Sequence, residues 1–156
     1  MRLFAIYDLR LRNKSRTFVP WILCKHLDMI YRGIHLVLTH KWYDMIDSGE
    51  KKEEYRDFTP YWCKRFFSIR REDGVCVPLD IKEKDLYKYQ TEVYNLAKDG
   101  RLVVNPQAVC FQRAYAKNPP LMRFKITEVN LGPCGKEEWG AVPGKWYIIV
   151  KLGERI

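Results

Sequence analysis

The stretch Leu121–Leu131 constrains this chain most. Met122, Phe124, Ile126 and Val129 are set against Arg123, Lys125 and Thr127. A period near two residues belongs to a strand with one buried face. The stretch is fenced by Asn118-Pro-Pro120, which forbids helix, and by a loop, Gly132–Gly144, with four glycines and two prolines. Such a strand needs neighbours, and the chain supplies them. His35–Thr39, Glu50–Asp57, Ala108–Tyr115 and Lys145–Leu152 read as strands, the last ending at Gly153.

Helical spacing is confined to short pieces. Lys41–Ser48 places Trp42, Met45 and Ile46 on one face, with Gly49 suited to the position after its end. Tyr61–Phe67 follows Thr59 as N-cap and Pro60 at the first helical position. Asp80–Leu96 carries a stripe of Leu86, Tyr89, Val93 and Leu96, stopped by Asp99-Gly100. Residues 68–104 otherwise show little periodicity. The sum is an α+β fold: a small β-barrel of about five or six strands with two or three short flanking helices.

At 156 residues, 47% hydrophobic and 30% charged, the chain has the size and balance of one globular domain. It can bury a core without disulfides or metals. No apolar run approaches the ~20 residues of a spanning helix, which argues against a membrane protein. Phe18–Cys24 imitates a secretory signal, but it contains Pro20 and leads to Lys25 and His26 in place of small residues. Five cysteines, an odd number with no CxxC pair, fit a reducing cytoplasm. Residues 1–33 form an extension of unassigned role, with a strand reading at Met1–Leu11 and a helix reading at Trp21–Tyr31; the main domain occupies 34–156. The net charge is +9, and residues 1–34 supply +5 of it, from seven basic and two acidic residues. Such a balance favours polyanionic partners, nucleic acid first.

One motif concentrates the chemistry: Gly49-Glu50-Lys51-Lys52-Glu53-Glu54-Tyr55-Arg56. Gly49 permits a left-handed exit from the helix. Glu54 and Arg56, two apart on a strand, share a face. Lys51 joins that face if the turn at Gly49 intervenes. Two cations and a carboxylate would then line one cleft wall, with Arg56 offering a planar fork to a phosphate or base edge. The alternative is an ion-pair network closing the barrel end; were it exposed, each pair would contribute only ~0–1 kcal/mol.

The pattern G-x-K-x-x-E-x-R, after a strand and a short helix, resembles the signature of the ASCH domain, a family of the PUA-like β-barrel superfamily. Thr59-Pro-Tyr-Trp62, the strand end Phe111–Asn118 and Glu138-Trp-Gly-Ala…Gly144…Tyr147…Lys151-Leu-Gly153 look like a subgroup common in phage and gut-bacterial genomes. The resemblance covers roughly residues 34–153. It implies a PUA-like barrel that binds RNA or a modified nucleoside, with Gly49, Lys51, Glu54, Arg56 and Tyr115 as ligand-binding residues and no cofactor or metal. Some small bacterial members are amidohydrolases that deacetylate N4-acetylcytidine, and others are linked to RNA cleavage. If this chain is an enzyme, the resemblance makes Lys51 and Glu54 its catalytic pair. The deacetylases carry a threonine where Glu54 stands, so their acyl-threonine route does not transfer. Glu54 would have to activate water instead, and its charge favours keeping Lys51 an ammonium.

Other candidates are weaker. His26, His35 and His40 form no recognisable metal set. Cys63 has Lys64 and Arg65 beside it, yet fits better as a buried helical residue. Trp62 reads as core before stacking platform. Tyr115, near Lys117 and Asn118, is the better stacking residue. Trp139-Gly140 reads as a packing anchor. Glu128, Glu137 and Glu138 are the later carboxylates available to a catalytic set.

Overall fold

The computed structural model describes residues 32–156. The strand reading at Met1–Leu11 and the helix reading at Trp21–Tyr31 lie outside these residues. Eight strands and three helices follow in order: β1 (Gly33–Leu38), α1 (His40–Asp47), β2 (Glu53–Asp57), α2 (Pro60–Phe66), β3 (Phe67–Arg70), β4 (Cys76–Pro78), α3 (Leu86–Lys98), β5 (Leu102–Val104), β6 (Ala108–Arg113), β7 (Leu121–Gly132) and β8 (Tyr147–Arg155). A five-stranded sheet has the order β1-β6-β7-β8-β2, and β4-β3-β5 form a small second sheet. All pairings are antiparallel except β1 with β6. The large sheet curls into a half-barrel, giving the α+β, barrel-like architecture expected from the sequence. No described helix is long and apolar enough to cross a membrane.

The main core lies inside the curl. Leu36, Val109, Phe111, Val129, Ile148 and Val150 come from the sheet, Phe66, Tyr89 and Val93 from α2 and α3, and Leu102 from β5. A second cluster, Tyr55, Trp139, Ala141, Tyr147 and Ile149, covers the opposite face near β2. The first half of β8, Tyr147–Val150, is therefore buried on both sides, as its continuous apolar and aromatic run suggests, while β2 buries Glu54 and Tyr55 on opposite faces.

Several local expectations change. The helix expected over Asp80–Leu96 begins only at Leu86, where the Asp85 carboxylate accepts from the Lys88 amide 2.9 Å away. The small sheet has no sequence expectation behind it. Its strands run three or four residues and include Ser68, Arg70 and Pro78, so pairing creates them where local pattern does not. β7 carries register shifts on either side of Ile126. They change the phase of the alternation, which is why Ile126 and Val129 are both buried though three apart. Arg123, expected outside, is buried, as is its cross-strand neighbour Cys110. Both faces of the sheet are covered there.

β8 does not stop at Gly153 but runs to Arg155. A Cβ at Gly153 would stand 2.7 Å from Thr127 Cγ2. The glycine thus marks a close approach inside the strand, not its end. Gly153→Ala is expected to lower unfolding stability in urea by ~1–3 kcal/mol through this overlap. Adding Thr127→Ser removes the opposing methyl and should recover most of the loss. An additive double variant would show that the two side chains do not meet.

Candidate functional site

The motif is built by a tight return from α1. Gly49 takes a positive φ of 80° with open space around it. Its amide donates to Ile46 O at 3.0 Å, and the Lys51 amide donates to Met45 O at 2.9 Å. The chain therefore doubles back on the helix end and brings Lys51 beside β2. Among the described residues β2 pairs only with β8, and its other edge has no strand neighbour there. Glu54 stands opposite Val150 and Arg56 opposite Ile148. Cross-strand partners share a face, so the carboxylate and the guanidinium point into the curl with core residues. Tyr55, opposite Ile149, points the other way.

The three motif charges meet as the spacing predicts. Lys51 Nζ lies 2.8 Å from Glu54 Oε2, and Arg56 Nη2 lies 3.0 Å from Glu54 Oε1. One carboxylate serves two cations, one at each oxygen. The premise of an exposed pair does not hold: Lys51 and Glu54 are each only 3% exposed. Lys51 is also boxed by rings, 4.7 Å from the Trp42 centroid and 5.3 Å from that of Tyr55. Trp42 in turn lies against Gly140, whose φ is 96°; a Cβ there would stand 2.7 Å from the indole. The Tyr55 hydroxyl accepts from the Lys136 amide (3.0 Å) and donates to Glu53 (2.9 Å). Burial pushes this phenol well above its ordinary range. The glycine-rich loop thus holds both rings around Lys51.

Arg56 carries the motif to the surface. Its Nη2 also donates to Val37 O at 3.4 Å, a weak reach across to β1, the opposite edge of the sheet. The guanidinium stacks 5.1 Å from the Trp62 centroid. Arg65 lies 5.6 Å from the same ring and 5.4 Å from Tyr61, to whose hydroxyl it donates at 3.0 Å. Tyr61 is 60% exposed. A ladder of two arginines and two aromatic rings therefore borders the seam between β1 and β2. The sequence reading missed Arg65 and Trp42 as parts of this site. Tyr61 and Arg65 at i, i+4 on α2 were the available signal for the first; nothing local marks Trp42, whose partner Gly140 is distant in sequence.

Tyr115 stands apart. It lies in the loop between β6 and β7, is 88% exposed, and makes no hydrogen bond or ring contact among the described residues. Trp62 packs half-buried on the core while its ring carries both arginines. Trp139 is buried, as an anchor would be. Glu128 pairs with Lys151 at 2.7 Å, and Glu137 and Glu138 are exposed in a short 3-10 turn. His35 Nε2 bonds Gln112 at 2.9 Å. Among the described residues no three His, Cys, Asp or Glu side chains converge as a metal would require. No family model matches the chain, and no curated protein or solved structure matches it either.

Two expectations follow. Glu54→Gln strips buried Lys51 and part-buried Arg56 of their counter-charge and is expected to cost ~3–5 kcal/mol in urea unfolding. Lys51→Met leaves the Glu54–Arg56 pair intact and should cost clearly less; the reverse order would sink this account of the network. Burial pushes the Cys63 thiol up to about 12, so at pH 8 it holds almost no thiolate. Mass-spectrometric mapping after brief native alkylation should find label on exposed Cys76 and Cys134. Cys63 should take label only in denaturant.

Proposed function

We propose that this chain is an ASCH-type, PUA-like domain that binds RNA or a modified nucleoside at the seam where Arg56 emerges. The observation that carries the reading is the state of Arg56. Its guanidinium is anchored by Glu54 and stacked on Trp62, yet the side chain stays 17% exposed at the seam. Its bonds to Glu54 and Val37 both run from Nη2, so the fork keeps donors for a carbonyl or phosphate oxygen of a ligand. The cost of the network supports the same reading. Apolar residues would close a seam at least as stably as buried charges do. Trp62 and Tyr61 offer faces to a base, and Arg65 adds charge beside them. A cytoplasmic setting accords with the exposed thiols of Cys76 and Cys134.

Lys51 and Glu54 serve this site by fixing Arg56, while Tyr115 would meet only a ligand long enough to reach its loop. Hydrolysis, of an N-acylated nucleoside or of RNA, stands second. It needs Glu54 to take a proton from water, and both of its oxygens are already engaged.

The test is fluorescence anisotropy with a short single-stranded RNA over a salt series. Binding should weaken with a log–log slope of about −0.7 for each phosphate contacted. Trp62→Ala should raise Kd about 5- to 150-fold, the equivalent of losing one stacked base at ~1–3 kcal/mol. Arg56→Ala should do the same with a shallower slope. Unchanged affinity in a folded Arg56→Ala protein would overturn the reading. Release of cytidine from N4-acetylcytidine by the parent, abolished in Lys51→Ala, would instead promote the enzyme.

A further inference from the structure

A second polar recess opens away from the motif. Arg32, His35, Arg65 and Asn105 line a surface hollow of about 350 Å³, with Ile34 and Pro106 as its apolar part. It sits where β1 begins, beside the β5–β6 connection and the α2 residue Arg65. Neither Lys51, Glu54 nor Arg56 lines it. Arg56 reaches β1 at Val37, three residues beyond Ile34 and so roughly 10 Å along the strand at the ~3.3 Å rise of each residue. The hollow and the seam are therefore different places that share one edge strand and one residue, Arg65.

The lining has a definite chemistry. Among the described residues it holds two guanidinium groups and no carboxylate. Elsewhere the surface arginines and lysines of the described chain are commonly matched with acids: Arg113 with Asp44, Lys145 with Asp57, Lys151 with Glu128 and Arg155 with Asp47. Arg65 bonds only the neutral Tyr61 hydroxyl, which leaves most of its fork to donate. Ser68 Oγ donates to Asn105 Oδ1 at 2.8 Å, which fixes the amide and leaves its NH2 end as a donor. Among the described residues, donors thus converge without an acid to neutralise them. The volume lies near the lower end of the ~300–1,000 Å³ of small-ligand sites.

We propose that this hollow is a phosphate site, in which Arg32 and Arg65 clamp a phosphate group and Asn105 donates to a further oxygen. Paired guanidinium forks suit tetrahedral oxyanions better than point charges do. The phosphate can be that of a free nucleotide or of an RNA backbone, and the chemistry at the site is the same. Arg65 also borders the seam, but the assignment does not rest on the seam reading, since it is argued from the hollow's own lining and none of the three motif charges takes part.

The experiment is an amide-resolved NMR titration of the full chain with inorganic phosphate, cytidine 5′-monophosphate, cytidine and a six-nucleotide RNA. Saturable shifts at Gly33, His35 and Asn105 are expected with the first two probes and not with cytidine. Arg32→Glu and Arg65→Glu should each weaken them at least tenfold. Arg71→Glu, the same charge change at a residue outside the hollow, should leave them in place, and the spectra themselves report that each variant is folded. If the monophosphate saturates as readily as the hexamer, the source is a free nucleotide. Saturation by the hexamer at far lower concentration, with strong salt dependence, assigns the site to the RNA backbone. Absence of shifts at these amides, or equal weakening by Arg71→Glu, would overturn the proposal. The seam is read separately in the same spectra, at Val37 and Arg56, so either site can fail alone.

Discussion

A curled sheet that stops short of closure leaves two strand edges facing each other, and here a single carboxylate governs how they meet. Glu54 lies inside the curl and holds Lys51 at one oxygen and Arg56 at the other. Arg56 then reaches the backbone of β1. A direct β1–β2 ladder would have completed the barrel with hydrogen bonds. A side-chain bridge does so at one point and leaves a guanidinium at the opening. The rest of the local structure serves that carboxylate. Gly49 turns the chain so that Lys51 arrives in register, and Trp42 and Tyr55 exclude water from the ammonium. Gly140 allows the loop to lie against Trp42.

The arrangement also decides which chemistry is available. A general base needs a lone pair facing its substrate. Glu54 has spent both oxygens on cations, and its surroundings are Val150 and its neighbours in the core. Arg56 is different, because the network holds it in place while its ring partner Trp62 lies half-exposed. The buried pair thus positions a surface group more than it offers reactive groups of its own. That division, a charged anchor inside and a cation–aromatic face outside, favours binding over turnover at the seam.

The sequence made the large sheet legible where one strand face is buried and the alternation survives. β1, β2, β6, β7 and β8 were all readable within a few residues. Glu54 and Arg56 were placed on one face by spacing alone, and Lys51 by the glycine before it. What stayed hidden depended on distant partners. β3, β4 and β5 have no period of their own and exist because they pair. The phase change in β7 comes from bulges at Ile126 that no composition marks. The burial of Lys51 and Glu54 was equally invisible. Charged residues in a motif read as surface, but the core face of the sheet covers Glu54, and Lys51 is covered by rings that the loop at Lys136–Gly140, some 85 residues later, holds in place.

Dependence on that loop has a mechanical consequence. Positions along the chain Gly140, Trp42, Lys51, Glu54, Arg56 are fixed by close approach, ring packing and charge, in that order. None of these links is a long exposed side chain free to choose among rotamers. A binding group held this way loses little conformational freedom when a ligand arrives, and that saving appears as affinity. Arg65 lacks such support, with one hydrogen bond to an exposed tyrosine. The two arginines that flank Trp62 therefore differ in kind. In the proposed binding, Arg56 would set the geometry at the seam, and Arg65 would supply charge that either the aromatic face or the hollow beside it can draw upon.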